Sequence, residues 1–187
     1  MAVKHPTSSV FVFRRFTDGW RTGLIRHPRL HKMMIPGGHV EPAESGAEAA
    51  LREVAEETGL AVTLVSPPAA PVPHGYRGRR VALPWWMAEY QVKPDNHLDV
   101  AHIHVDHLYV ALADGTPPPA ARAGLPGPAH PFGWYAAGDL PGLDMYDDAR
   151  LLARLLLTGL ADAADGTDAA AAAQALVAGL GKPAPEP

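Results

Sequence analysis

The chain has 187 residues, enough for one domain with a substantial core and scarcely enough for two. A formal charge of −4 leaves no basic footprint for a dedicated nucleic-acid surface, and the lack of cysteine excludes disulfides and thiolate metal sites. No stretch approaches the roughly 18 apolar residues of a membrane span, and the opening MAVKHPTSS has no apolar secretion core, so a soluble cytoplasmic protein is expected.

In chain order, Ser9–Phe13 (SVFVF) reads as a buried strand ending in Arg14 and Arg15. A Thr17-Asp18-Gly19 turn leads into a second strand, Trp20–His27, which predicts a hairpin. Met33–Ile35 runs into a Pro36-Gly37-Gly38 turn, helix signals begin at Ser45, and Leu60–Val65 is the next strand. Ser66–Gly78 is a proline-rich loop, and Arg80–Val92 reads as a strand interrupted at Pro84, hence an edge or a bulge. His102–Ala113 (HIHVDHLYVALA) carries the strongest remaining strand signal. A long Pro/Gly/Ala loop, Asp114–Pro131, then leads to a short strand, Phe132–Tyr135. Asp144–Leu157 is a predicted helix with Asp144 as N-cap. Asp168–Leu180 is an alanine-rich helix whose bias needs no functional explanation, and Gly181–Pro187 is a tail. Neither an internal repeat nor a second domain is evident.

The segment Gly38–Leu60, GHVEPAESGAEAALREVAEETGL, carries the chemistry. Ser45 and Glu48 form a capping box, and Gly59 supplies the left-handed stop with Leu60 beyond it. At about 100° per residue, Ala47, Leu51, Val54, Ala55 and Thr58 share one arc, with Glu53, Glu56 and Glu57 opposite and Arg52 at the edge. Crowded carboxylates repel one another, and a divalent cation is the simplest way to hold them together. Mg²⁺ takes oxygen ligands, usually one or two carboxylates, waters and substrate phosphates. The Pro36-Gly37-Gly38 turn can add a backbone carbonyl, since glycine allows close approach. Arg-Glu-x-x-Glu-Glu alone also occurs on ordinary solvated helices; the added spacing of Gly38, Glu44 and Gly59 sets this one apart.

The pattern Gly38-x5-Glu44-x7-Arg52-Glu53-Val54-x-Glu56-Glu57-x-Gly59-Leu60 resembles a complete Nudix box, with no position departing from it. The surrounding elements resemble a Nudix domain from about Thr7 to Leu157. The expected division is a Nudix hydrolase domain over 1–160 and an Ala-rich helix with a Pro-rich tail over 161–187. The resemblance implies an α/β fold: an α/β/α sandwich with a mixed central sheet, here with an additional C-terminal helical segment. It implies Mg²⁺-dependent hydrolysis, with Mn²⁺ as the alternative ion, of a nucleoside diphosphate linked to another group. It makes Glu56 and Glu57 the main metal ligands, Glu53 a further ligand or the base, and the Gly37 carbonyl an additional ligand. Arg52 and Glu44 would pair behind them and hold loop and helix in register, with Gly38 giving the close approach.

Candidate substrate contacts are more dispersed. Trp85, Trp86, Tyr90, Tyr109 and Trp134 offer rings for a nucleobase, and Arg14 and Arg15 offer guanidinium groups for a phosphate. Arg77, Arg79 and Arg80 form a basic cluster beside His74 and Tyr76 on a candidate lid. His102, His104 and Asp106 alternate along one strand and share a face, with His107 on the other. Such a trio can bind a transition metal but lacks a fourth ligand nearby in the chain. Its expected use is therefore as a base or substrate contact, His104 or Asp106 facing the box helix. Glu89, Asp95, Asp99 and Asp106 compete to be the acid outside the box, with Asp106 preferred.

The expected activity is thus a house-cleaning nucleoside triphosphate pyrophosphohydrolase. A nucleotide-sugar, ADP-ribose or dinucleoside polyphosphate hydrolase is the alternative within the class. A non-catalytic nucleotide sensor on the same scaffold is the alternative outside it; an isomerase or DNA-repair role is disfavoured by length, absent cysteine and charge. The expected partner is a small-molecule nucleotide, with no stable nucleic-acid binding and no membrane; a homodimer is compatible with the sequence.

Overall fold

The computed structural model describes residues 2–95, 97–113, 129–161, 163 and 168–180. Most of the expected 114–131 loop and the tail from 181 lie outside the described residues. Among those described, no helix is long and apolar enough to cross a membrane.

Two long strands form the centre. β1 (Lys4–Phe16) turns through Thr17-Asp18 into antiparallel β2 (Gly19–Arg26), with Gly19 at a φ of 133° that disfavours any side chain. On its other side β1 runs parallel to β7 (His102–Ala113), from Lys4↔Ile103 to Phe13↔Leu112. This pairing is why β1 begins at Lys4 rather than at Ser9. The polar run KHPTS is extended because β7 offers a ladder, not because its residues favour a strand.

Shorter strands complete the mixed sheet. β3 (Met33–Met34) and β8 (Phe132–Tyr135) pair with β2, β4 (Gly37–His39) with β1, and β5 (Val62–Val65) and β6 (Trp86–Val92) with β7. Gly37 and Gly38, expected in a turn, are thus strand, docked on β1 through Ser9↔Gly37 and Ser8↔Gly38, with Pro36 a bend before them. β6 starts only after Pro84, in keeping with an edge position.

Alternation along β1 and β7 divides the core in two. Val10, Val12, Tyr109 and Ala111 face α1 (Gly46–Thr58), meeting Ala47, Ala50 and Val54. Phe11, Phe13, Leu108 and Val110 face the opposite way, toward α2 (Asp147–Leu160) and α3 (Ala169–Leu180). The result is an α/β/α sandwich. Leu51, expected on the core arc, is 40% exposed, while Glu57, placed on the charged arc as a metal ligand, is 9% exposed. The helix is rolled so that Glu57 tucks beneath Gly37, which carries Leu51 outward.

Of the two C-terminal helices, α3 forms where expected and α2 starts later. α2 begins at Asp147 with Tyr146 as N-cap, because Asp144 is engaged elsewhere: its carbonyl accepts from Met33 N–H and its carboxylate pairs with Lys32. α3 packs into the larger core. Ala172 and Leu176 are fully buried in the larger core, and a Cβ on Gly179 would lie 2.4 Å from Gly159 Cα. Two glycines let α2 and α3 approach this closely.

Candidate active site

Both ends of α1 are fastened before any chemistry begins. Ser45 and Glu48 make the reciprocal capping box, and Gly59 ends the helix at a φ of 72°. Within it, Arg52 is the organising cation. Its guanidinium donates to both oxygens of Glu44 at 2.6 and 3.1 Å, to Glu53 at 2.7 Å, to Glu56 at 3.1 Å and to the His39 carbonyl at 2.9 Å. The two bonds to Glu44 form a planar, bidentate pair that fixes the fork. They hold the Glu44 carboxyl below its usual range and raise Arg52.

Glu57 is held differently. Gly37 N–H donates to its Oε2 at 2.9 Å, and His130 Nε2 stands 3.3 Å from Oε1. Burial pushes Glu57 up to about 7, with the Gly37 bond opposing and the charges of Glu53 and Glu56 adding. Glu53 is raised too, by burial, against the pull of Arg52. In an extended strand the N–H and C=O of one residue point to the same edge, so the Gly37 carbonyl shares the edge that faces Glu57. No side chain fits here. A Cβ on Gly38 would meet Glu53 Oε1 at 2.3 Å, and one on Gly37 would meet the Ser8 carbonyl at 2.5 Å.

These groups open into a cavity of about 820 Å³. Arg52, Glu53, Glu57, Gly37 and Gly38 line one side. Tyr90, His104, Asp106 and Asp148 contribute elsewhere to the lining. Asp106 and His104 do not face the box helix as expected; they share the sheet face of Leu108, while His107 and Tyr109 turn toward α1. They line the same cavity as Glu53 and Glu57, which meet β4 at Gly38 and Gly37. Asp106 is 6% exposed, accepts from Thr7 Oγ1 at 2.9 Å, and is raised by burial against the bonds of Ser9 and Thr7. Tyr90 is pushed up to about 12 by burial and the neighbouring Asp148.

Residues 3–155 match the family model of the NUDIX domain. The chain belongs to the Nudix family. Solved structures similar to it carry the same fold. A NUDIX-family hydrolase from Clostridium perfringens is 23% identical with a TM-score of 0.58, covering 93% of this chain and 97% of that one. The Escherichia coli dihydroneopterin triphosphate pyrophosphohydrolase gives 14% and 0.53, covering 81% and 94%. The Caenorhabditis elegans Ap4A hydrolase gives 15% and 0.52, covering 81% and 95%. No curated protein sequence matches the chain.

Several sequence candidates lie away from this Nudix cavity. Trp85 donates its indole N–H to the Val65 carbonyl and packs with Trp86 against the larger core, and neither lines the cavity. Arg14 and Arg15 sit at the far end of β1, opposite Arg21 and Trp20, with Arg14 over the Phe16 ring. Residues 66–78 do not line it either, and Arg79 pairs with Glu48 on the outer side of α1. Of the four competing acids, Glu89 is taken by Lys4 at 2.5 Å, and neither it nor Asp99 lines the cavity; Asp95 and Asp106 both do, and Asp95 faces histidines. His130 and Asp148 were missed. Nothing in the sequence marks them, because a 3.3 Å contact between residues 57 and 130 exists only through the fold.

A second polar cluster borders the cavity. Asp95 Oδ1 accepts from the backbone N–H of His97 and Leu98, and Oδ2 faces His102 and His104. Burial works against it, yet these bonds and His102 hold the Asp95 carboxyl well below its usual range. His39 is driven down to about 4, by burial first and then by His97 and His104.

Proposed function

We propose that this Nudix hydrolase cleaves a nucleoside triphosphate to the monophosphate and pyrophosphate. The observation that carries the reading is the convergence of Glu53, Glu57 and the Gly37 edge, clamped by Arg52, on one wall of a cavity about 820 Å³ in volume. That size falls within the usual range for small-molecule sites. The donor set is oxygen only, and buried carboxylates this close need a cation, so the residues fit Mg²⁺, with Mn²⁺ as the alternative. Glu53, Glu56, Glu57 and the Gly37 carbonyl would hold it, and once bound it would supply charge neutralisation to the phosphate oxygens.

The chain's own groups do the remaining work. Arg52 keeps Glu53 and Glu56 in register, with Glu44 and the His39 carbonyl as its anchors. Gly37 N–H and His130 fix Glu57. The attacking water gives its proton to Glu53 or to Asp106, two of the carboxylates that line the cavity, one from α1 and one from β7. Tyr90, one of the proposed rings, is the one that lines the cavity and is assigned to the base. The similar structures named for dihydroneopterin triphosphate and Ap4A support a substrate with three or more phosphates. A nucleotide sugar or ADP-ribose is the second reading; a similar Shewanella oneidensis domain was crystallised with ADP ribose.

The test is chromatographic analysis of the products formed from nucleoside triphosphates, nucleotide sugars, ADP-ribose and dinucleoside polyphosphates, with Mg²⁺ and with EDTA: monophosphate and pyrophosphate from the first class, two phosphate-bearing fragments from each of the others. Metal-dependent pyrophosphate release from triphosphates, absent in Glu57→Gln, is the expected result. Cleavage of another class alone would replace the substrate. Silence throughout, with a nucleotide still raising the melting temperature, would leave a binding module.

A further inference from the structure

The sequence offers His102, His104 and Asp106 alternating along one strand; Asp106 is engaged by Thr7, which leaves the two histidines. The fold brings in Asp95 from the β6–β7 connection and His39 from the end of β4, and one ligand atom from each of the four lies within 4.8 Å of the others. The spacing is selective. His102 Nε2 stands 3.1 Å from His104 Nε2 and 3.4 Å from Asp95 Oδ2, and His104 Nε2 stands 3.6 Å from that same oxygen. Ligands at about 2.0–2.1 Å around a tetrahedral zinc are separated by about 3.3–3.4 Å along each edge. Three donors thus already outline one face of such a tetrahedron.

The surroundings orient them. His102 Nδ1 lies 2.8 Å from the Val100 carbonyl, which places the proton there and leaves Nε2 as the lone-pair donor. Asp95 Oδ1 accepts two backbone N–H groups at 2.8 and 3.0 Å, turning Oδ2 inward. The His102 side chain is fully buried and that of Asp95 is 7% exposed. His39 Nε2 is buried without a hydrogen-bond partner, as is Nε2 of His5, whose ring packs 4.6 Å from that of His102. Buried polar atoms are rarely left so. Several imidazoles pressed around a single carboxylate make poor sense as an ordinary core.

We propose that His39, Asp95, His102 and His104 form a second metal site, for a zinc-class divalent transition ion, separate from the carboxylate site of α1. Three nitrogens and one oxygen suit zinc and its transition-metal neighbours, whereas Mg²⁺ prefers oxygen throughout. The ion ties the β6–β7 connection to β7 and to β4, the strand that also carries Gly37 and Gly38. It thereby fixes the wall that the carboxylate site is built against.

The test uses the full chain stripped with EDTA, offered Zn²⁺ or Co²⁺ and dialysed, with metal content read by elemental analysis. Wild type and Glu57→Gln should each retain one zinc per chain, and Co²⁺ should give the intense visible bands of four-coordinate cobalt. Asp95→Asn and His104→Gln should lose the retained ion, the cobalt bands and the zinc-induced rise in melting temperature. Circular dichroism in EDTA checks that both variants fold. His102→Asn should behave alike; if that buried variant fails to fold, the half-buried His104 still decides. Wild type that retains no zinc would overturn the proposal. So would retention unchanged in Asp95→Asn and His104→Gln, or lost only in Glu57→Gln.

Discussion

The carboxylate cluster of α1 and the histidine cluster at the start of β7 border one cavity, yet the chain assembles them in opposite ways. The first is local: Glu44, Arg52, Glu53, Glu56 and Glu57 fall within one short stretch, and a helix with two fixed ends sets their geometry. The second is dispersed: His39, Asp95, His102 and His104 come from three segments and meet only through strand pairing. Local clusters announce themselves in sequence. Dispersed ones need the sheet register first.

The comparison can be broken most sharply at Glu57. Glu57→Gln should lower turnover by about 10³-fold, since several kcal/mol of charge stabilisation at the phosphates depends on it, while zinc retention stays intact. Steady-state pyrophosphate release measures this, and near-wild-type turnover would remove the carboxylates from the mechanism. Gly38→Ala comes next. Its methyl meets Glu53 at 2.3 Å and must displace that carboxylate, a misplacement that costs about 10²-fold in kcat. Unchanged kcat would show that Glu53 needs no fixed position.

Arg52→Lys sharpens the picture further. Lysine keeps the charge but cannot span Glu44, Glu53 and the His39 carbonyl with one planar fork. A loss of about 10- to 100-fold in kcat, or in affinity for Mg²⁺, is expected, as for other groups that orient metal ligands. Val54→Ala against Leu51→Ala separates packing from chemistry on α1. Val54 is fully buried and Leu51 40% exposed, so the first should destabilise by about 2 kcal/mol and the second by about 0.5 kcal/mol or less. Urea unfolding of both variants reads the difference.

The smallest expected effect is in pH. Glu57 has a folded-state pKa raised to about 7, mainly by burial. Between its unfolded value and 7 the native state holds the proton more tightly, so this group's contribution to stability falls as pH rises through that window. In EDTA, Glu57→Gln should therefore gain in melting temperature relative to wild type from about pH 4.5 to pH 7. A constant difference would show that the buried carboxylate is not strained.

Much of this was legible beforehand. The box, the capping residues, the hairpin, and the bounds of β7 and β8 followed from spacing and alternation, because those signals act over a few residues. The misses share a cause. β1 reaches back to Lys4 because β7 pairs with it, and Leu51 turns out because Glu57 bonds Gly37. Asp144 does not cap α2 because Lys32 and Met33 engage it. Each is a contact between distant residues overriding a local preference. The trio of His102, His104 and Asp106 lacks a fourth ligand in the sequence for a related reason: His39 is distant in sequence and adjacent in space, and Asp95 is turned toward the histidines only by the β6–β7 connection.

One consequence concerns the far end of the molecule. α2 behaves as a rod held at both ends. Near its start Asp148, Ala149 and Leu152 line the cavity, and at its finish Gly159 is seated against Gly179 of α3. Nothing larger than hydrogen fits at that seat. A single methyl at position 179 would force α2 and α3 apart. The alanine-rich end of the chain, remote from every reacting group, is thereby seated on the same helix whose first turns line the cavity.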